Sequence, residues 1–157
     1  MKKYRKKVDI KNCIVFSMSI ICFLVFIYSF VNIVIWILNN KKNNEIKETI
    51  NTSVKEIIDE ETKKTTYEVD FVTLKEQNPD TVAYLKINNT NVKYIVVKGN
   101  DNDYYLTHNF NKEYNKSGWI FADYKNNFDG RDKNIIIYGH NTKDGSIFGS
   151  LHNTLKK

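Results

Sequence analysis

Histidine 140 stands out for chemistry. It follows the apolar run Ile135–Tyr138 through Gly139, at the mouth of a strand, where a glycine-permitted turn can present a side chain. Imidazole suits acid–base work because it titrates near neutral pH. Position alone leaves an ordinary polar histidine the simpler reading. His108, in LTHNF, and His152, near the C-terminus, sit among solvent-type residues and are weaker candidates. Ser146 and Ser150 lie close to His140 in sequence and offer hydroxyl nucleophiles, but no acidic orienter or oxyanion site is evident beside them. The chain has two cysteines, Cys13 and Cys22, both in an apolar stretch far upstream. Its arginines are Arg5 and Arg131. Arg131 precedes His140 by nine residues, at the far end of the Ile135–Tyr138 run, so the two can be as much as roughly 30 Å apart in extended chain. With no cysteine set and no convincing ligand cluster, no metal, no cofactor and no disulfide framework are expected.

The elements that must carry His140 can be read from the patterning. DFVTLKEQNPD reads as a short helix ended at Asn78-Pro79, because the residue before proline is driven out of helical geometry. TVAYLKI (81–87) alternates like a strand, NNTN is a turn, and VKYIVVK (92–98) is a second strand, so 81–98 form a hairpin. DNDYYLTHNF is a polar–aromatic connection containing one helical turn. SGWIFAD (117–123) is a third strand, and IIIY (135–138), continuously apolar, is a short strand buried on both faces. GHNTKDGSIFGSLHNTLKK then runs through a glycine-containing loop into a helix start. This part is mainly β with short helices.

Ahead of it lies CIVFSMSIICFLVFIYSFVNIVIWIL (13–38), without a charged residue, with Asn32 its most polar member. About 20 apolar residues cross a bilayer, so this stretch spans with some tilt. It is longer than a signal-peptide core and has no small-residue cleavage site near its end, which marks an uncleaved anchor. Most of the net charge of +6 comes from residues 1–12, where Lys2, Lys3, Arg5, Lys6, Lys7 and Lys11 face Asp9 alone. The positive-inside rule then keeps the N-terminus cytoplasmic and turns residues 39–157 outward. A basic tail is not a basic folded face, which argues against nucleic-acid binding. Residues 43–66 carry Ile46, Ile50, Val54, Ile57 and Ile58 at helical spacing and read as a juxtamembrane helix or stalk, with a partly disordered linker an equal alternative. The organisation is a tail (1–12), an anchor (13–38), a stalk or helix (39–66) and a domain (67–157).

The run IIIYGHNTKDGSIFGSL resembles the catalytic-histidine segment of the class B sortases, the cysteine transpeptidases that attach proteins to bacterial cell walls. The resemblance starts at VDFVTLKEQNPDTVAYLKINNTNVKYIVVKGNDNDYYLTHNF and continues through SGWIFADY, covering roughly residues 69–157 with its motifs in order. It implies a sortase-like β-barrel of which about the first half is present, preceded by one transmembrane helix. His140 matches the catalytic histidine, the acid toward the departing amine and the base toward the incoming one. Asn102, Leu106 and Tyr138 match residues of the sorting-signal groove, although Leu106 and Tyr138 also suit a core and Asn102 a turn cap. The resemblance further implies a cysteine nucleophile and an arginine downstream of the histidine, and the sequence holds neither after His140. The expectation is a class B sortase-like chain, truncated before its nucleophile and inactive alone, with an unclosed and aggregation-prone barrel. Its partners would be secreted proteins bearing a sorting signal, peptidoglycan or its precursor as amine acceptor, and the lipid bilayer. The alternative is a non-catalytic membrane-anchored binding or scaffold protein that retains part of the groove.

Overall fold

A computed structural model describes residues 10–61 and 63–155. The basic residues before Ile10 lie outside the described residues. The chain divides into two compact units, Met1–Leu38 and Asn39–Lys157.

The first unit is helical from Ile10, the start of α1 (Ile10–Asn51, 42 residues). Its large apolar side chains, from Ile10 to Leu38, are exposed all round. Such a helix, apolar on every side, suits a lipid solvent. Its few polar side chains return to the helix's own backbone: Ser17 Oγ donates to Cys13 O (2.9 Å), Ser19 Oγ to Val15 O (3.0 Å) and Asn32 Nδ2 to Tyr28 O (2.9 Å). That satisfies them without water. Length and composition make this helix compatible with a membrane anchor.

The second unit opens with the last turns of α1, where Ile46 and Ile50 enter the core. The helical spacing expected over 43–66 therefore holds as far as Asn51. Beyond it, Val54, Ile57 and Ile58 lie in β1 (Val54–Ile58), paired antiparallel with β2 (Thr65–Val69), so this segment is a hairpin and not a continuing helix. β-Branched residues lose rotamer freedom in a helix and fit a pleated strand, which favours the switch. α2 (Phe71–Gln77) starts where Asp70 accepts the Thr73 N–H and ends at Asn78, as the following proline requires.

β3 (Thr81–Lys86) and β4 (Lys93–Val97) form the expected hairpin. β4 pairs in parallel with β5 (Phe121–Ala122), which pairs antiparallel with β6 (Ile137–Tyr138), giving the order β3-β4-β5-β6. Ile95, Val96, Val97, Trp119, Ile120 and Phe121 are buried at the centre of this unit.

Two sequence expectations are corrected. The strand expected over 117–123 shortens to Phe121–Ala122, because Gly118 turns the chain at φ +59° and Trp119 N–H donates to Tyr105 O instead of to a strand. The run 135–138 is not buried on both faces: Ile135 and Ile136 are 46% and 50% exposed, and β6 is an edge strand with one neighbour. Periodicity alone does not separate a buried apolar strand from an apolar edge.

Candidate functional site

His140 leaves β6 through Gly139. A Cβ on Gly139 would fall 2.8 Å from Ile147 Cγ2 and 3.0 Å from Phe148, so any larger residue would push these two side chains aside. The segment after His140 folds back. Phe148 N–H donates to His140 O (3.1 Å), and Ile147 N–H donates to the Tyr94 hydroxyl (3.0 Å). Ile147 is buried with φ +49°, an uncommon conformation for a β-branched residue, held in place by that tertiary bond.

The half-buried His140 ring places Nε2 at 2.8 Å from the backbone carbonyl oxygen of Leu106. A carbonyl oxygen only accepts, so Nε2 carries a hydrogen, and in the neutral ring the lone pair lies on Nδ1. Leu106 closes a 3-10 turn, Tyr104–Leu106, whose start is capped by Asp101 Oδ1 accepting Tyr104 N–H (2.8 Å). The turn is anchored by Tyr105, whose buried ring donates its hydroxyl to Asp80 Oδ2 (2.7 Å) and accepts from Asn78 Nδ2 (3.0 Å). Burial pushes the Tyr105 hydroxyl well above the usual tyrosine range.

Asn102 and Tyr138 meet at Asp123, a residue the sequence did not single out. Asp123 Oδ2 accepts from Asn102 Nδ2 (2.9 Å) and from the Tyr138 hydroxyl (2.9 Å), while Oδ1 accepts from Lys125 N–H (2.9 Å). These bonds, the Lys125 amide foremost, hold the Asp123 carboxyl below its ordinary range. The same carboxylate raises the Tyr138 hydroxyl above its ordinary value. Asn102 Oδ1 also accepts Tyr124 N–H (3.1 Å), and the Tyr138 ring packs against Phe121 at 5.3 Å between centroids. The polar ends of Asn102 and Tyr138 are thus engaged with protein. The one signal for Asp123 in the sequence was its place as the first charged residue after an apolar run, beside a tyrosine.

The other candidates are placed elsewhere. His108 stacks on Tyr104 (4.0 Å, 7° between planes), and its Nδ1 meets Tyr104 O at 2.8 Å. His152 lies exposed in the 3-10 turn Leu151–Leu155. Arg131 is 84% exposed and ion-pairs with Asp129. Ser146 Oγ donates to Asp144 Oδ1 (2.7 Å), which engages the serine itself and not the His140 ring. Ser150 is buried and accepts Asn91 N–H (2.9 Å). Among the described residues no group of three or more histidine, cysteine or acidic side chains is arranged to hold a metal ion.

No family model matches this sequence. Sortase B of Listeria monocytogenes is 48% identical over 84 residues, 54% of this chain and 34% of that protein. Sortase B of Staphylococcus aureus is 34% identical over 87 residues, 55% of this chain and 36% of that protein. Among solved structures, sortase B of Bacillus anthracis in complex with AAEK1 is similar at a TM-score of 0.64 and 31% identity, covering 77% of this chain and 57% of that one. Sortase B of Clostridium perfringens is similar at a TM-score of 0.53 and 43% identity, covering 55% and 46%. The chain spans about a third of the length of the curated relatives. Over about half of its residues it is homologous to class B sortases, and its second unit, Asn39–Lys157, has a sortase-like fold.

Proposed function

We propose that this chain, homologous to sortase B over about half its length, supplies the histidine-bearing, signal-binding part of a class B sortase-type cysteine transpeptidase. The observation that carries the reading is the imidazole of His140, fixed through Nε2 on the Leu106 carbonyl with Nδ1 left available. In the proposed chemistry a thiolate attacks the carbonyl of a threonine in a sorting signal, and the C–N bond breaks. Protonated His140 gives its proton to the departing amine, leaving a thioester. A peptidoglycan amine then attacks the thioester, His140 takes the amine's proton, and the thiolate is released. Leu106, Asn102 and Tyr138 shape the groove that receives the signal.

Residues 39–157 contain no cysteine, and Arg131 is engaged by Asp129. The thiol and the oxyanion-stabilising guanidinium must therefore come from polypeptide outside these residues, and this chain alone binds without cutting. In this reading the apolar stretch 13–38 crosses the membrane, the basic tail 1–12 stays in the cytoplasm and residues 39–157 face the cell wall. The absence of a thiol in the outer unit also favours a second reading, a membrane-anchored binding or scaffold protein that holds sorting signals and transfers nothing.

The test uses the full chain in detergent micelles with a fluorescent sorting-signal peptide. The expected result is saturable binding, weakened by Leu106→Ala, with no cleavage. Cleavage that persists in His140→Ala would overturn both the assignment of His140 and the inactivity of the chain alone. Transfer activity that appears on adding a cysteine-bearing sortase segment, and requires His140, separates the first reading from the second.

A further inference from the structure

We propose that Asp123 is a positioning residue for His140, clamping together the two segments that set the imidazole's direction. The inference rests on the reading of His140 as the reacting group. Asp123 ends the β5 segment, and its backbone N–H donates to Ile136 O (3.0 Å), one residue before β6. Its side chain reaches both ways. Tyr138, bound to Oδ2, stands two residues before His140. Asn102, bound to the same oxygen, stands four residues before Leu106, whose carbonyl receives His140 Nε2–H. Donor ring and acceptor carbonyl thus hang from a single carboxylate.

The chemistry of the clamp requires a carboxylate. Its two oxygens receive three donors, from Asn102, Tyr138 and Lys125. A carboxylate has acceptor sites for all of them and makes charge-assisted bonds. An asparagine in its place turns an NH2 toward one or more of those donors, so part of the clamp opens. Once the Leu106 turn and β6 shift relative to each other, the 2.8 Å bond from Nε2 is lost. The imidazole then loses the bond that holds its hydrogen on Nε2, and the Nδ1–H tautomer gains population. Asp123 touches neither the imidazole nor the place where a scissile bond would lie; it acts through its neighbours.

The experiment is nitrogen NMR of the full chain in detergent micelles with labelled histidine imidazoles, at a pH above the histidine range. His152, which lies outside the clamp, serves as internal reference. In the native chain His140 is expected to show the signature of the Nε2–H tautomer. Asp123→Asn should shift it to a mixture of tautomers while His152 stays unchanged. Tyr138→Phe keeps the ring on Phe121, removes only the hydroxyl, and should move His140 in the same direction. The double variant should go no further than Asp123→Asn, because both act through one clamp. If Asp123→Asn does not fold, Tyr138→Phe carries the test alone. A native chain without the Nε2–H signature, or folded variants whose His140 signals match the native ones, would overturn the inference. Failure to bind a sorting peptide, with the Asp123-dependent tautomer intact, would overturn the proposed function and leave only the Asp123 clamp on the imidazole standing.

Discussion

Asn43, near the end of α1, donates its side-chain amide to the carbonyl oxygen of Gly118 at 2.9 Å, across 75 residues of sequence. Asn115 Nδ2 donates in turn to Asn43 Oδ1 (2.8 Å) and to Asn39 O (3.0 Å), and Ser117 Oγ hydrogen-bonds Asn40 Oδ1. This buried polar network fixes the last turns of α1 to the 115–118 turn, which leads into Trp119 and β5. Replacing Asn43 with alanine leaves the Gly118 carbonyl and an Asn115 amide hydrogen without these partners in a buried place. The expected cost is about 1–3 kcal/mol for each unsatisfied group. Denaturant unfolding of the full chain in detergent, followed by tryptophan fluorescence, measures it. Unchanged stability would mean that the last turns of α1 are not keyed to the 115–118 turn in this way.

Gly118 makes a sharper case. It adopts φ +59°, and a Cβ there would lie 2.5 Å from Tyr105 O and 2.6 Å from Leu106 O. Left-handed backbone alone costs an alanine roughly 1–2 kcal/mol, and both atoms it would strike are backbone. Gly118→Ala should therefore destabilise more than the typical surface substitution and displace the Leu106 carbonyl from His140. The checks are the melting curve and the His140 nitrogen signature, which should change together.

The pH dependence of stability follows from several depressed carboxylates. Asp123 is lowered by the Lys125 amide and by Asn102, and Glu113 by its hydrogen bond to Lys42 and by Asn109. A carboxyl whose folded value lies below its unfolded one stabilises the fold above the unfolded value. That contribution is lost as pH falls from the ordinary carboxylate range through the lower folded value. The native chain should lose stability on acidification across that window. Asp123→Asn should show a shallower acid slope, with no difference in slope above neutral pH. Parallel acid curves for the two proteins would contradict the assignment.

The edge strand offers a fourth prediction. Ile135 and Ile136 are half exposed beside the unpaired edge of β6, an arrangement that favours strand-to-strand association. Ile136→Lys keeps the backbone carbonyl that serves Asp123 and places a charge on the edge. It should reduce self-association of the detergent-solubilised chain, read by light scattering, at little cost to the melting transition. Equal association of the two proteins would show that the edge is covered in some other way.

Much of the local structure was legible in the sequence because it follows from local physics. Pro79 stops α2 at Asn78, alternation and the NNTN turn give the β3–β4 hairpin, and the uncharged run 13–38 gives an apolar helix. The ordered motifs around His140 resemble those of class B sortases, and homology supports that over about half of the chain. What the sequence misplaced depends on what lies beside a segment. The helical spacing of 43–66 breaks at Asn51 because strand pairing claims Val54, and the apolar run 135–138 is half exposed because β6 has one neighbour.

The sequence by itself determined which residue types are present: one histidine behind an apolar strand, with no cysteine after Cys22. It also determined the elements those residues occupy, because propensity, proline and glycine act within a few residues. Only the tertiary structure decided which atoms meet. That His140 points its Nε2 at a carbonyl 34 residues earlier, and that Asn102 and Tyr138 share one oxygen of Asp123, are contacts between distant segments. No periodicity encodes them, because they arise when the sheet order β3-β4-β5-β6 brings the 102–106 turn, the end of β5 and the end of β6 to one place.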